Sequence, residues 1–155
     1  MLKPLTLLLA ACLFSVASAA SDDTSTPAST VQRLFDAMST HNVDAARVLF
    51  TPEATLIAVR PDGTAAVTPH EQWLNHLAAS KDQWLERMWN PKTLEHGSIA
   101  VVWAEYDFHL NGKFSHCGVD SVDLLKSATG WKISGVSFTR ETTACAPSPL
   151  GLPAK

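Results

Sequence analysis

Between residues 29 and 145 the apolar positions change period, from that of a helix to that of a strand. Val31, Leu34, Phe35 and Met38 recur at the i, i+3, i+4, i+7 spacing of one helical face, which predicts a helix over 29–40. After a break at His41-Asn42, Ala45, Ala46, Val48 and Leu49 predict a second, shorter helix over 43–50. Residues 53–60 form a β-rich run, Pro61-Asp62-Gly63 a turn, and 64–67 its return. Thr68-Pro69-His70-Glu71 has the form of a capping box with proline at the first helical position. It opens a third helix through Ser80 that buries Trp73, Leu74 and Leu77. From there the pattern is β: a strand over 83–89, its extension over 92–95 past Pro91 (a bulge or an edge), and a turn at His96-Gly97. A long strand over 98–110 follows, then Asn111-Gly112, the strongest short hairpin signal. The chain returns over 114–125, turns at 127–130 and ends in a strand over 131–140. Helices first and an antiparallel meander afterwards make this an α+β domain.

The ends read differently. Residues 1–19 combine Lys3, an apolar run from Leu5 to Val16, and the small residues Ala17-Ser18-Ala19, the three parts of a secretory signal. The run is too short for a stable membrane span. Leu9-Ala10-Ala11-Cys12 also has the form of a lipoprotein box, in which Cys12 would be lipidated. The short stretch before Leu9 and the continuation of the apolar run through Val16 favour cleavage after Ala19. The expected product is exported, periplasmic or secreted. Residues 20–28 are an acidic, turn-forming leader, 29–145 one folded domain, and 146–155 a loose tail rich in proline.

Composition narrows the function classes. The 155 residues carry 12 Lys+Arg against 15 Asp+Glu, a net charge of −3, which argues against a nucleic-acid partner. Removing residues 1–19 takes away Lys3 and leaves 11 basic against 15 acidic residues, a net of −4. The same cut removes Cys12 and leaves Cys117 and Cys145. In an oxidising compartment these two invite a disulfide; otherwise Cys117 is a small buried hydrophobe and Cys145 a free thiol. There is no Gly-rich phosphate loop, no Gly-x-Ser-x-Gly elbow and no Cys-x-x-Cys, so no cofactor is implied.

The element order, with residues 30–50, Leu49-Phe50-Thr51-Pro52-Glu53-Ala54-Thr55-Leu56 and the closing Gly130-Trp131-Lys132-Ile133, resembles the nuclear transport factor 2-like superfamily. It looks closest to the SnoaL-like and lumazine-binding-like bacterial branches, and the resemblance covers residues 29–142. It implies a cystatin-like α+β roll, in which a strongly curved antiparallel sheet wraps helices into a cone with an interior pocket, commonly as a homodimer. That fold carries isomerases, cyclases, dehydratases, epoxide hydrolases and plain binding modules, so it does not fix the reaction. No complete catalytic signature of a characterised branch is present, and no family residues are carried over.

A two-residue Asn111-Gly112 turn would pair Leu110 with Lys113, Asp107 with His116 and Trp103 with Asp120. One face would then collect Trp103, Glu105, Asp107, His109, His116, Asp120, Val122, Trp131, Ile133 and Ser137, apolar at one end and polar at the other. Such a face suits a pocket for a small, partly apolar molecule. His116, Asp120 and Asp107 would be the acid–base candidates, with Trp103, Glu105, Val122, Trp131 and Ser137 as binding residues. His109, His116 and Asp107 would also suit a divalent metal, though no metal is assigned. Equally, Val102, Ala104, Tyr106, Phe108 and Leu110 form the cleaner apolar face of the same strand. They would be the core or a dimer interface, leaving Glu105, Asp107 and His109 in solvent. A register slip of one residue would exchange the faces. Trp84 and Trp89 would either line the pocket or pack. His41, His70, His76 and His96 show no ligand spacing. Whether the domain is an enzyme, as a cofactor-independent isomerase, lyase or hydrolase, or a non-catalytic dimerisation or envelope-associated module, is open at this level.

Overall fold

The computed structural model describes residues 26–153, so the expected signal segment and Cys12 lie outside the described residues. The elements are α1 (Pro27–Ser39), α2 (Val43–Arg47), β1 (Phe50–Val59), β2 (Ala65–Pro69), α3 (His70–Ala79), β3 (Trp84–His96), β4 (Ile99–Leu110), β5 (Lys113–Ser127) and β6 (Gly130–Thr139). This is the expected order, element for element. Among the described residues, no helix is long and apolar enough to cross a membrane.

Two helix starts differ from expectation. A capping box does form, but at α1, where the Ser29 amide donates to Thr26 Oγ1 at 3.1 Å and the Thr26 amide to Ser29 Oγ at 3.0 Å. At α3 no side chain caps the helix. Thr68 is taken up by the β1–β2 ladder opposite Leu56, and Glu71 pairs with Arg47 of α2. α2 ends at Arg47 because the chain is already drawn into the sheet, where the Ile133 amide donates to the Leu49 carbonyl at 2.7 Å.

The six strands form one open sheet in the order β2-β1-β6-β5-β4-β3. It is mixed rather than wholly antiparallel. After the β1–β2 hairpin, α3 carries the chain to the far edge, and the four-strand meander returns so that β6 lies parallel to β1. α1 packs against β3, β4 and β6, strands that are not all adjacent, so the sheet curls around it. Val31, Leu34, Phe35 and Met38 bury their stripe against Leu56, Val102, Val122, Leu124, Ile133 and Trp131 of the sheet. The expected irregularity at Pro91 is present as a bulge between Trp89 and Lys92, with Asn90 at φ 46°.

Candidate functional site

Two inserted residues decide which side chains face inward. Asn111 and Gly112 turn with φ of 52° and 73° and pair Leu110 with Lys113, as expected of an Asn-Gly hairpin. His109 then sits opposite Phe114, but Phe108 sits opposite His116, so Ser115 is an extra residue in β5. Because side chains alternate, one extra residue exchanges the faces of β5 against those of β4. The expected pairs Asp107–His116 and Trp103–Asp120 do not form; Asp107 faces Cys117, and Trp103 faces Ser121. A second bulge in β6, at Ser134, turns Val136 and Phe138 inward and leaves Ser137 beside Ser121.

The proposed constellation therefore separates. His116, Asp120 and Val122 line an interior cavity of about 340 Å³ between the sheet and α1. Trp131 is buried in the core beneath it. Asp107 and His109 lie on the opposite face of the sheet, and so do Glu105, which accepts from the Trp89 indole, Trp103, which is 52% exposed, and Ser137. With His116 on one face and Asp107 and His109 on the other, the metal grouping is not assembled. Among the described residues, no three His, Cys, Asp or Glu side chains cluster to hold a metal. Tyr106 and Phe108 face inward, which removes them as an exposed interface. The cavity's volume is that of a small-molecule site.

The cavity is apolar on most sides. Rings run along it in contact: Trp73 to Trp84 at 6.3 Å between centroids, Trp84 to Phe108 at 6.0 Å, Phe108 to His116 at 4.9 Å and His116 to Tyr106 at 5.8 Å. Leu34, Phe35 and Met38 of α1 close the other side. Against this apolar lining stand Glu86, Tyr106, His116, Asp120 and Arg140, with Ser80 and Asp82 also in the wall. The Tyr106 hydroxyl donates to the Thr139 carbonyl at 2.7 Å. That approach needs Gly118, because a Cβ there would lie 2.1 Å from the Thr139 carbonyl oxygen.

Glu86 and Asp120 are neighbouring, hydrogen-bonded carboxyl groups. Burial pushes Glu86 well above the usual carboxylate range, and the charges of Asp120 and Asp107 add to the rise. Burial also pushes Asp120 up, to about 7, against the opposing effect of its hydrogen bond from Glu86. Asp120 is 3% exposed, and its Oδ2 meets no N–H or hydroxyl donor. Such a pair keeps a proton near neutral pH, because a buried carboxylate and a half-buried neighbour in an apolar wall do not readily ionise together. His116 goes the other way: burial, then the charge of Arg140, lowers it to about 4, so its imidazole is neutral. Its Nδ1 lies 3.0 Å from Ser115 Oγ. Burial, with the nearby Glu86 and Asp120 charges, raises Tyr106 and keeps it a phenol.

Sequence reasoning on its own omits Glu86, Tyr106 and Arg140. A signal for Glu86 does exist, since it alternates with Trp84 and Met88, the inward parity of β3, as a lone acid in an apolar set. Tyr106 belongs to the cleaner apolar face of β4. Arg140 is placed only by the second bulge, which no local pattern announces.

No protein-family model matches the chain, and no curated protein matches it in sequence. Solved structures do match in fold. A nuclear transport factor 2-like superfamily protein from Salmonella enterica aligns with a TM-score of 0.57 at 16% identity, over 76% of this chain and 89% of its own. A protein with a cystatin-like fold from Novosphingobium aromaticivorans gives 0.59 at 9% identity, over 76% and 80%. A candidate dehydratase of the same fold family from Streptomyces avermitilis gives 0.58 at 14% identity, over 72% and 90%. At such identities the likeness establishes the fold.

Proposed function

We propose that this chain, which has the nuclear transport factor 2-like, cystatin-like fold, is an exported domain that binds a small, largely apolar molecule and performs acid–base chemistry on it. The observation that carries the reading is the Glu86–Asp120 carboxyl pair in the wall of a cavity otherwise built of aromatic and aliphatic groups. A carboxyl group that keeps its proton near pH 7 donates it to a carbonyl or a leaving hydroxyl, and a neutral imidazole 4.9 Å from the Phe108 ring is a base. Together they suit proton transfer within one substrate: isomerisation, or elimination in which His116 takes a proton and the carboxyl pair protonates the departing hydroxyl. One of the similar structures is a candidate dehydratase, which is consistent with the second reaction. Neither reaction needs a cofactor. Export is supported by residues 1–19 and by the bond between Cys117 and Cys145, which persists in an oxidising compartment.

The test is a thermal-shift screen with cyclic ketones, phenols and hydroxy-substituted rings. A binder present at 100 times its Kd would add about 2.7 kcal/mol of stability, a rise of a few degrees in Tm. Asp120→Asn and His116→Ala should keep the fold and lose the rise. If both variants respond as the parent does, or no ring compound shifts the parent, the reading fails.

A second copy of the chain is the partner that the outer sheet face suits. Leu94, Ile99, Trp103 and Leu125 on β3, β4 and β5 are 76%, 59%, 52% and 44% exposed and share that face by register. Light scattering on Trp103→Glu and Ile99→Glu should report a monomer where the parent is a dimer. A parent that is monomeric at high concentration removes this part of the reading.

A further inference from the structure

Asp107 and His109 sit on the outer face of β4, yet they are only 4% and 5% exposed, whereas Trp103 on the same face is 52% exposed. Their burial comes from the end of the chain. Beyond β6, Glu141 pairs with Cys117 through two backbone hydrogen bonds of 2.9 Å. Cys145 is bonded to Cys117 with Cα atoms 6.0 Å apart. Residues 146–152 then cross over the sheet, enclosing a second cavity of about 400 Å³. Arg87 is central to it. It donates from Nε to Asp107 Oδ1 at 2.8 Å, from Nη2 to Asp107 Oδ2, and from Nη2 to the Gly151 carbonyl at 2.9 Å. His109 Nε2 lies 3.4 Å from Asp107 Oδ1. Both bonded cysteines are in the cavity wall, and both are only half-buried.

We propose that the Cys117–Cys145 bond is a reducible clasp, which holds residues 142–153 as a strap over the Arg87–Asp107–His109 cluster and uncovers that second polar site when it is reduced. Apart from the clasp, the strap is weakly held. Its cross-sheet anchors are the Gly151 carbonyl on Arg87 and the Ser148 side chain on Asp107, and Leu152 is 93% exposed and contributes almost no burial. Two features oppose closure. Ala144 is held at φ 62°, a left-handed conformation that is strained for a non-glycine residue. His109 Nδ1 is buried with no hydrogen-bond partner in the protein, a desolvation cost that contact with water would relieve. Breaking the bond also frees residues 142–145, which regain backbone entropy. The closed strap therefore depends on the covalent link.

The step balances as thiol–disulfide exchange. One thiolate of a dithiol attacks a sulfur of the bond, the S–S bond breaks and a mixed disulfide forms. The second thiol then displaces it. The dithiol ends as its own disulfide, and Cys117 and Cys145 end as thiols carrying its two protons.

Diethyl pyrocarbonate, which acylates accessible imidazoles, tests the proposal on the purified protein with peptide mapping by mass spectrometry. Dithiothreitol should raise labelling of His109 at least about tenfold, the change expected when an opening equilibrium shifts by about 1.4 kcal/mol or more. His70 and His116, on the inner side of the sheet, should label as before. Cys145→Ser should give the raised His109 labelling without reductant. The proposal is overturned if His109 stays protected after complete reduction. It is also overturned if His70, His116 and His109 all become reactive together with loss of near-ultraviolet dichroism, since the bond would then hold the whole fold.

Discussion

Replacing Asp120 by asparagine removes a titrating group without removing its shape. In the folded chain, burial raises this carboxyl from 3.8 to about 7, a span of about 3 pH units. At about 1.4 kcal/mol per unit, ionisation of Asp120 alone would cost the fold about 4 kcal/mol. The proton is shared with Glu86, so a single substitution should recover about 2–4 kcal/mol. The sign follows from proton counting. Below pH 4 the carboxyl is protonated both folded and unfolded, and the substitution should be nearly neutral. Between pH 4 and 7 the unfolded chain releases a proton that the folded chain keeps. The parent's stability attributable to this group is therefore lost as pH rises through that window. The variant has no such loss, and its amide can accept from Glu86 as Asp120 does, or donate to Glu86 once that group ionises. His116 titrates in both proteins and largely cancels in the difference. Urea denaturation followed by tryptophan fluorescence at pH 4, 6 and 8 measures it. Asp120→Asn should match the parent at pH 4 and exceed it by about 2–4 kcal/mol at pH 8. An offset that is the same at all three pH values, or a variant weaker than the parent at pH 8, refutes the protonated pair and with it the acid assigned to the cavity.

Three further outcomes follow from the packing and charge of the same region. His116, lowered to about 4 by burial and Arg140, should stay mostly neutral above pH 5 in an NMR titration. The stability it contributes is present above its unfolded pKa near 6.5 and is lost as pH falls toward 4; a midpoint near 6.5 in the folded protein would contradict this. Gly118→Ala places a Cβ 2.1 Å from backbone at Thr139 and should cost about 1–3 kcal/mol in chemical denaturation, because the obstacle is main chain rather than a movable side chain. A change below about 0.5 kcal/mol would mean that the Tyr106–Thr139 contact is not fixed as described. Leu74→Ala, at a position with 0% exposure between α3 and the sheet, should cost about 2–5 kcal/mol by calorimetry or denaturant, and a near-neutral result would place α3 outside the core.

The candidate site was legible in the sequence only in part, and the reason lies in strand geometry. His116 and Asp120 lie an even number of residues apart in one strand run of alternating character, so their sharing a face holds whatever the neighbouring strand does. Their relation to Asp107 and Trp103 needed the register across the hairpin, and Ser115 shifts that register by one. Ser115 is an ordinary strand residue, and nothing beside it marks an insertion. The same blindness put Ser137 in the expected pocket and left Arg140 out of it. Glu86 was within reach, because its alternation with Trp84 and Met88 is local, but its pairing with Asp120 brings together groups from strands separated by β4.

Local chemistry by itself determined the number, order and kind of the elements. Apolar period, proline and glycine positions and the Asn-Gly reversal are properties of neighbouring residues, and the folded chain obeys them. The same local chemistry made a bond between Cys117 and Cys145 conceivable, without bringing the two sulfurs together. Only the tertiary structure decided which strand lies beside which, the parallel seam of β6 against β1, the side to which each polar group of β4 and β5 points, and the path of the chain end across the outer face. Those are outcomes of pairing over long separations. A single inserted residue there costs little locally, yet it inverts every side chain beyond it. The carboxyl pair, and the low-polarity surroundings that keep its proton in place, arise from that inversion.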